Sequence, residues 1–263
     1  MSSRLLFLLS PAKSLDLSPV LNRSALVSKV PSFAKEADAL VQEYLCKKSQ
    51  KGLASLLGVS TSLATLNHAR YQGWSSAVEK RAIFCYDGAA YKGLNAPSLS
   101  DKAITYLDQR LRIISGLYGM VRPLDMIKPY RLDMGTKVEA TVGKKTFTTL
   151  YDYWYVFCPF AQIWPVYLQF QESSYLSHLT LCSLRRGESL SALLAQEGKG
   201  KAVVIINVAS DEYSKAVLRT LPEENEGGPR VITCRFEHGG RVMSVCQCVA
   251  EERDRDSSFN ALP

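Results

Sequence analysis

The sequence predicts an α/β protein, with α+β as the alternative, folded as one compact domain around a mixed β-sheet with surrounding helices. Three observations predict it. A short apolar run opens the chain at Arg4 to Leu9, a β-branched apolar run lies far downstream at Ala202 to Ala209, and segments of helical period fill the interval. Strands that are apolar throughout belong inside a sheet covered on both faces. A chain of 263 residues also buries enough surface to fold without a disulfide or metal staple.

Arg4 to Leu9 ends in Ser-Pro, so an inner strand delivers Ser10 and Lys13 to its edge. Ser32 to Lys48 spaces Phe33, Ala37, Leu40, Val41, Tyr44 and Leu45 three and four apart, which predicts an amphipathic helix with Ser32 as its N-cap. From Gly52 a short helix breaks at Gly58, and a second begins after Ser60 or Thr61 and runs to Tyr71 and Trp74. The result is a helix-hairpin-helix-like element with a three-residue turn. Ile83 to Leu94 reads as a strand entering a glycine-bearing loop, Ser100 to Leu111 as a capped helix, and Arg112 to Ser115 as a strand.

No regular period survives from Gly116 to Thr136. Pro123 and Pro129 deny a long helix, and the interleaved Tyr118, Arg122, Lys128, Tyr130 and Arg131 fit a loop shaped for a ligand, or else a structural loop. Ala202 to Ala209 ends abruptly in Ser210-Asp211-Glu212-Tyr213, at the C-terminal edge where open α/β sheets place their ligands. Val231 to His238 and Arg241 to Val249 alternate around Gly239-Gly240 and predict a hairpin. Glu223 to Pro229 reads as a loop insertion. Residues 1–250 form the one domain, and 251–263 a loose, charged tail.

With 46% hydrophobic and 22% charged residues, the composition excludes a disordered, collagen-like or coiled-coil chain. Lys and Arg number 32 against 25 Asp and Glu, a net +7 that favours phosphates, nucleic acid or an anionic surface, although solubility alone accounts for it equally well. Seven scattered cysteines with no CxxC pair predict reduced thiols and a cytoplasmic location. Cys246 and Cys248 alternate with Val245 and Val249 as a strand would. Histidines stand only at His68, His178 and His238, so no structural metal and no cofactor are expected.

Leu5 to Leu9 is shorter than the apolar core of a secretion signal. Tyr153 to Gln171 is uncharged and aromatic but broken by Pro159 and Pro165, so no stable membrane association is expected. The sequence contains no Gly-x-Gly-x-x-Gly, Walker A, Gly-x-Ser-x-Gly or His-Glu-x-x-His motif, which counts against dinucleotide, NTP-loop, serine-hydrolase and zinc-protease chemistry.

Two arrangements carry chemistry. The turn at Gly58 and Ser60 presents backbone N–H groups at a helix start, where a phosphate is stabilised without base reading, and Lys47, Lys48, Lys51 and Arg70 lie near it in sequence. An ordinary helical hairpin has the same pattern. The second is an anion-binding cleft in which Lys13, Arg122, Lys128 and Arg131 meet Asn207, Ser210 and Asp211. There Arg122 and Arg131 would supply bidentate donors and Lys13 a point charge. Asp125, Asp211 or Glu212 would serve as a base or metal ligand, or simply pair the arginines. If the cleft is catalytic, the candidates are Lys13, Asp125, Ser210, Asp211 and Glu212, acting on a small anionic or nucleotide-like ligand.

Seven collinear motifs together resemble the YaaA peroxide stress response family. They are Ser10-Pro-Ala-Lys-Ser-Leu-Asp16, Leu66-Asn-His-Ala-Arg70, Asp87-Gly-Ala-Ala-Tyr-Lys-Gly-Leu94, Ser115-Gly-Leu-Tyr-Gly-Met-Val-Arg-Pro-Leu-Asp125, Pro129-Tyr-Arg-Leu-Asp-Met-Gly135, Leu150-Tyr-Asp-Tyr-Trp154 and Asn207-Val-Ala-Ser-Asp-Glu-Tyr213. The resemblance implies a single α/β domain with a basic cleft and a helix-hairpin-helix element. It further implies binding to the phosphate backbone of double-stranded DNA, and a role in limiting oxidative DNA damage by lowering unincorporated intracellular iron. Two stretches depart from the family pattern. Residues 155–186 intervene before a helix-like Gly187 to Leu194 and read as an insertion of the kind a retained intron or mis-joined segment leaves, and Cys246 to Pro263 replaces a basic segment and final helix.

Overall fold

The computed structural model describes residues 4–19, 23–143, 145–156, 203–219, 221, 224, 229–234, 236–238 and 241–243. β1 (Arg4–Leu9) is the predicted first strand, with Leu6 and Leu8 fully buried. α1 (Ala34–Glu43) is shorter than expected: Phe33 rather than Ser32 stands at its N-cap, and beyond Tyr44 the chain tightens into a 3₁₀ turn at Leu45–Lys47. Ala37, Leu40 and Val41 still form its core face. The helical hairpin follows as α2 (Gln50–Leu57) and α3 (Thr61–Gln72). The hydroxyls of Ser49 and Ser60 cap the two helices, and Gly58 reverses the chain at a φ of 59° that a side chain would strain.

After β2 (Lys80–Arg81), the predicted strand and loop from Ile83 to Leu94 are instead two short helices, α4 (Ala82–Cys85) and α5 (Ala89–Leu94). The reason is an ambiguity of period. Ile83, Phe84 and Cys85 are all buried, and a short continuous apolar run suits a buried helical turn as well as a buried strand. The amides of Ala82 and Ile83 bond Asp125 O and Pro123 O, and the Tyr86 amide closes back onto Ala82 O.

α6 (Asp101–Arg110) begins at Ser100, whose hydroxyl accepts from the Ala103 amide, and feeds β3 (Leu111–Ser115), buried at every position. The 116–136 segment is irregular apart from β4 (Gly119–Val121) and β5 (Met126–Ile127), but it is packed rather than open: Leu117, Tyr118, Leu124, Tyr130, Leu132 and Met134 all lie in the core. The hairpin of β6 (Lys137–Val142) and β7 (Lys145–Thr149) adds an element that the sequence reading passed over. Its signal was alternation, since Val138, Ala140 and Val142 face inward between exposed neighbours. Next come α7 (Leu150–Val156), β8 (Val203–Asn207), α8 (Asp211–Leu218), β9 (Arg230–Thr233), β10 (Phe236–His238) and β11 (Arg241–Met243).

The main sheet has the order β4-β3-β1-β8-β9, with β4 antiparallel and the other four strands parallel. This is the mixed α/β sheet expected, with one correction at the late hairpin. β10 does pair antiparallel with β11, but residues 230–233 leave that arm and pair in parallel with β8. Cys46, Cys85 and Cys234 are free thiols. Among the described residues no helix is long and apolar enough to cross a membrane. Tyr153 and Trp154, which open the uncharged aromatic stretch, are buried in α7. The rest of that stretch and of segment 155–186 beyond Val156, the helix-like Gly187 to Leu194, the Cys246–Cys248 pattern and the tail all lie outside the described residues.

Candidate functional site

The chain leaves β1 toward β3 on one side of the sheet and leaves β8 toward β9 on the other. Where such connections diverge, a crevice opens beyond the strands' C-terminal ends. Ser10 and Ser210 stand there. The Ser210 amide donates to Ser10 Oγ at 2.9 Å, the two hydroxyl oxygens are 3.3 Å apart, and the Tyr91 hydroxyl holds the turn by donating to Ser10 O at 2.8 Å. Asn207 shapes the β8–α8 turn, its Oδ1 accepting from the Ala209 amide at 3.1 Å. Ser210 occupies the N-cap of α8, yet its hydroxyl makes no cap bond and is turned to Ser10 instead. The Asp211 and Glu212 amides that open α8 are therefore left without a side-chain cap, an arrangement that suits an anion, while the Tyr213 amide closes back onto Ser210 O at 3.0 Å.

Charged groups frame this edge. Asp133 lies 3.4 Å from Lys13 Nζ and 3.7 Å from Arg131 Nη2, and its Oδ1 accepts from the Tyr213 hydroxyl at 3.3 Å. One carboxylate thus faces two cations. Arg131 Nε is buried with no hydrogen-bond partner, and the arginine's carbonyl is fixed by the Tyr71 hydroxyl at 2.6 Å. Burial, helped by Asp133, pushes the Tyr213 phenol far above its ordinary range and keeps it a donor. Glu212 is already occupied as an acceptor from the Gly135 amide at 2.8 Å, and Gly135 admits it closely because a Cβ there would lie 3.1 Å from Glu212 Oε1. Asp211 is exposed on the first turn of α8.

The structure brings Lys13, Arg131, Ser210, Asp211 and Glu212 to this edge but places Arg122, Asp125 and Lys128 elsewhere. β4 runs back along β3 with Val121 opposite Ile113, which itself pairs with Leu9, so Arg122 follows the edge strand, two strands across from β1 and level with Leu8. Asp125 is 3% exposed and accepts from the Arg122 amide at 2.7 Å. Burial, opposed by that amide and reinforced by Asp108, pushes its carboxyl up to about 6. Lys128 lies over the Trp74 ring, 5.1 Å from its centroid. A reversal inside an aperiodic loop leaves no periodic trace, so the sequence grouped these cations by proximity along the chain. Asp133 and Tyr213 went unrecognised; the available signal was the i, i+2 spacing of Arg131 and Asp133.

In the helical hairpin, Gly58 points into open space and Ser60 Oγ accepts from the Leu63 amide at 3.4 Å. Lys51 is exposed at the far end of α2, seven residues from Gly58 and therefore on the same side of the helix, about 10 Å along the axis. Arg70 lies in the last turn of α3, beyond Thr65, whose hydroxyl donates to Gln50 Oε1 at the start of α2 at 3.2 Å. It is half-buried, donates to Asn67 Oδ1 at 3.2 Å, and burial lowers its pKa. Lys48 covers the Tyr44 ring at 4.2 Å. Among the described residues no three His, Cys, Asp or Glu side chains gather as a metal ion would require.

A family model described as peroxide stress protein YaaA matches residues 5–251. The chain is similar to a UPF0246 protein of Bordetella avium (strain 197N), 37% identical over 241 residues that span 89% of this chain and 76% of that protein. It is 37% identical to a UPF0246 protein of Paracidovorax citrulli (strain AAC00-1) over 247 residues, 92% of this chain and 79% of the relative. A UPF0246 protein of Rhizorhabdus wittichii is 38% identical over 232 residues, 88% and 75% of the two chains.

Proposed function

The chain belongs to the peroxide stress protein YaaA family, and from that premise we propose that it binds the phosphate backbone of double-stranded DNA through the α2–α3 hairpin, without strong base preference. One observation carries this reading: Lys51 and the open turn at Gly58 lie on one side of α2, about 10 Å apart, a separation that covers about three base-pair rises along the duplex axis. A ligand with anions repeated along a line engages both, whereas a point anion engages one. The Thr61 and Ser62 amides at the start of α3 add donors at the turn, the Leu63 amide being capped by Ser60. In the cell this cytoplasmic role limits oxidative DNA damage by lowering unincorporated iron, a part of the reading supported by the family resemblance. Fluorescence anisotropy of a labelled duplex across a salt series tests it. Lys51→Ala should flatten the logarithmic salt slope by about one. No binding by folded protein, or an unchanged slope, overturns it.

A second reading is favoured by the excess of cationic donors around Asp133. Here a small anionic or nucleotide-like substrate sits in the Ser10–Ser210 crevice, held by Lys13, Arg131 and the two uncapped amides that open α8, with Asp211 available as a base. Saturable binding of a nucleoside monophosphate, lost in Arg131→Ala, and turnover lost in Asp211→Asn with the fold retained, would support it. Absence of saturable binding by the folded protein sinks it.

A further inference from the structure

A cavity of about 210 Å³ is lined by Ser28, Lys29, Asp38, Glu79, Tyr118 and Lys128 among others, and shares no lining residue with the Ser10–Ser210 crevice or the hairpin. Lys29 is occupied by the buried carboxylate of Asp108. Asp38, Glu79 and Lys128, in contrast, pair with no opposite charge among the described residues. Trp74 explains how charges of both signs persist side by side. Its Nε1 donates to Asp38 Oδ1 at 2.7 Å, while its ring face carries the Lys128 ammonium 5.1 Å from the centroid. A rigid indole, 2% exposed, thereby anchors a carboxylate by its edge and an ammonium by its face, so that each keeps coordination capacity toward the cavity.

Tyr118 adds a directional donor. It is 3% exposed, and its hydroxyl oxygen already accepts from the Lys128 amide at 3.0 Å, which leaves its own proton for an acceptor in the cavity. Burial first, with Asp38 and Glu79 contributing, raises its pKa and keeps that proton in place. An ammonium and a phenol donor together ask for a carboxylate, and two carboxylates ask for an ammonium. The volume is below that of a pocket for drug-sized ligands and suits a molecule of about ten heavy atoms.

We propose that this cavity binds a free α-amino acid, its carboxylate directed to Lys128 and Tyr118 and its ammonium to Asp38 and Glu79. The additional carboxylate ranks basic amino acids above acidic ones. This goes beyond the proposed DNA-binding role and does not depend on it.

Saturation-transfer NMR of the full chain with an equimolar mixture of the twenty L-amino acids identifies the occupant, and calorimetry then compares that amino acid with its N-acetyl and carboxamide forms. Both capped forms should bind at least about tenfold more weakly, as should Lys128→Met and Asp38→Asn. These variants keep the fold's own contacts: Met retains the stem over the indole, and Asn still accepts from Trp74. Thermal melts confirm folding. No transfer to any amino acid, equal binding of the capped forms, or variants that bind like the wild type would each overturn the proposal.

Discussion

The backbone amide of Ser210 donates to the hydroxyl of Ser10 at 2.9 Å, joining the ends of two central parallel strands across 200 residues of sequence. Both residues are only partly exposed, so Ser10→Ala would leave that amide without its partner where water reaches it poorly. The expected cost is about 1–2 kcal/mol. Urea unfolding should show a lower midpoint with an unchanged m-value. A variant as stable as wild type would mean that water replaces the hydroxyl freely.

Gly116 follows β3, and the approach of the chain there is close enough to exclude any side chain. A Cβ on Gly116 would lie 2.3 Å from the carbonyl oxygen of Leu132, a backbone atom that cannot swing aside. The Gly116 carbonyl also accepts from Trp154 Nε1 at 2.9 Å, which ties the segment to α7. Gly116→Ala should therefore destabilise the fold by about 3 kcal/mol through overpacking and the shift it forces on Trp154. Trp fluorescence should report the displaced indole, and an unperturbed spectrum with full stability would contradict the close approach.

Asp125 sets a pH dependence whose sign is fixed by its raised pKa. Folded, the carboxyl titrates near 6; unfolded, near 3.8. Below about 4 both states hold the proton. Between about 4 and 6 the folded state binds more protons than the unfolded one, so stability falls as pH rises through that window, by roughly 3 kcal/mol in total. Asp16 and Asp152 do not mask this. Hydroxyls of Ser18 and Thr149 lead the causes that lower their pKa values, so their effect lies below the same window. Thermal melts from pH 7 to pH 4.5 should rise for wild type and stay nearly level for Asp125→Asn, which keeps an acceptor for the Arg122 amide. Equal slopes in the two proteins would remove Asp125 as the cause.

These residues also show how much of the molecule is written locally. β1, β8, the hairpin helices and α6 were legible because each is written in one local signal: an apolar run, a 3.6-residue period, or a serine cap such as Ser60 or Ser100. Ser10, Lys13, Ser210 and Glu212 were legible because a buried strand delivers the polar residues after its last apolar position to the sheet's C-terminal edge. The positions of Arg122, Asp125 and Lys128 are not legible, because they depend on β4 turning back along β3 through a tight reversal that the aperiodic sequence there does not announce. The helical form of Ala82–Cys85 is not legible either: its amides bond the 123–125 turn some forty residues away, and nothing in Ala-Ile-Phe-Cys announces that partner.

The crevice itself yields the sharpest electrostatic test. Asp133 faces Lys13 and Arg131 and accepts from Tyr213, so it offsets part of the positive potential that an anion would meet. Asp133→Asn keeps the size of the side chain and an oxygen for the Tyr213 hydroxyl while removing the charge. Lys13 is largely exposed, so its pairing with Asp133 is worth little to stability and the variant should remain folded. Released from their shared carboxylate, Lys13 and Arg131 should hold inorganic phosphate several-fold more tightly, with a steeper salt dependence. Calorimetric titration with phosphate at two ionic strengths measures both effects. If Asp133→Asn binds phosphate no better than wild type, the two cations do not act on the crevice, and the reading of that edge as an anion site falls with them.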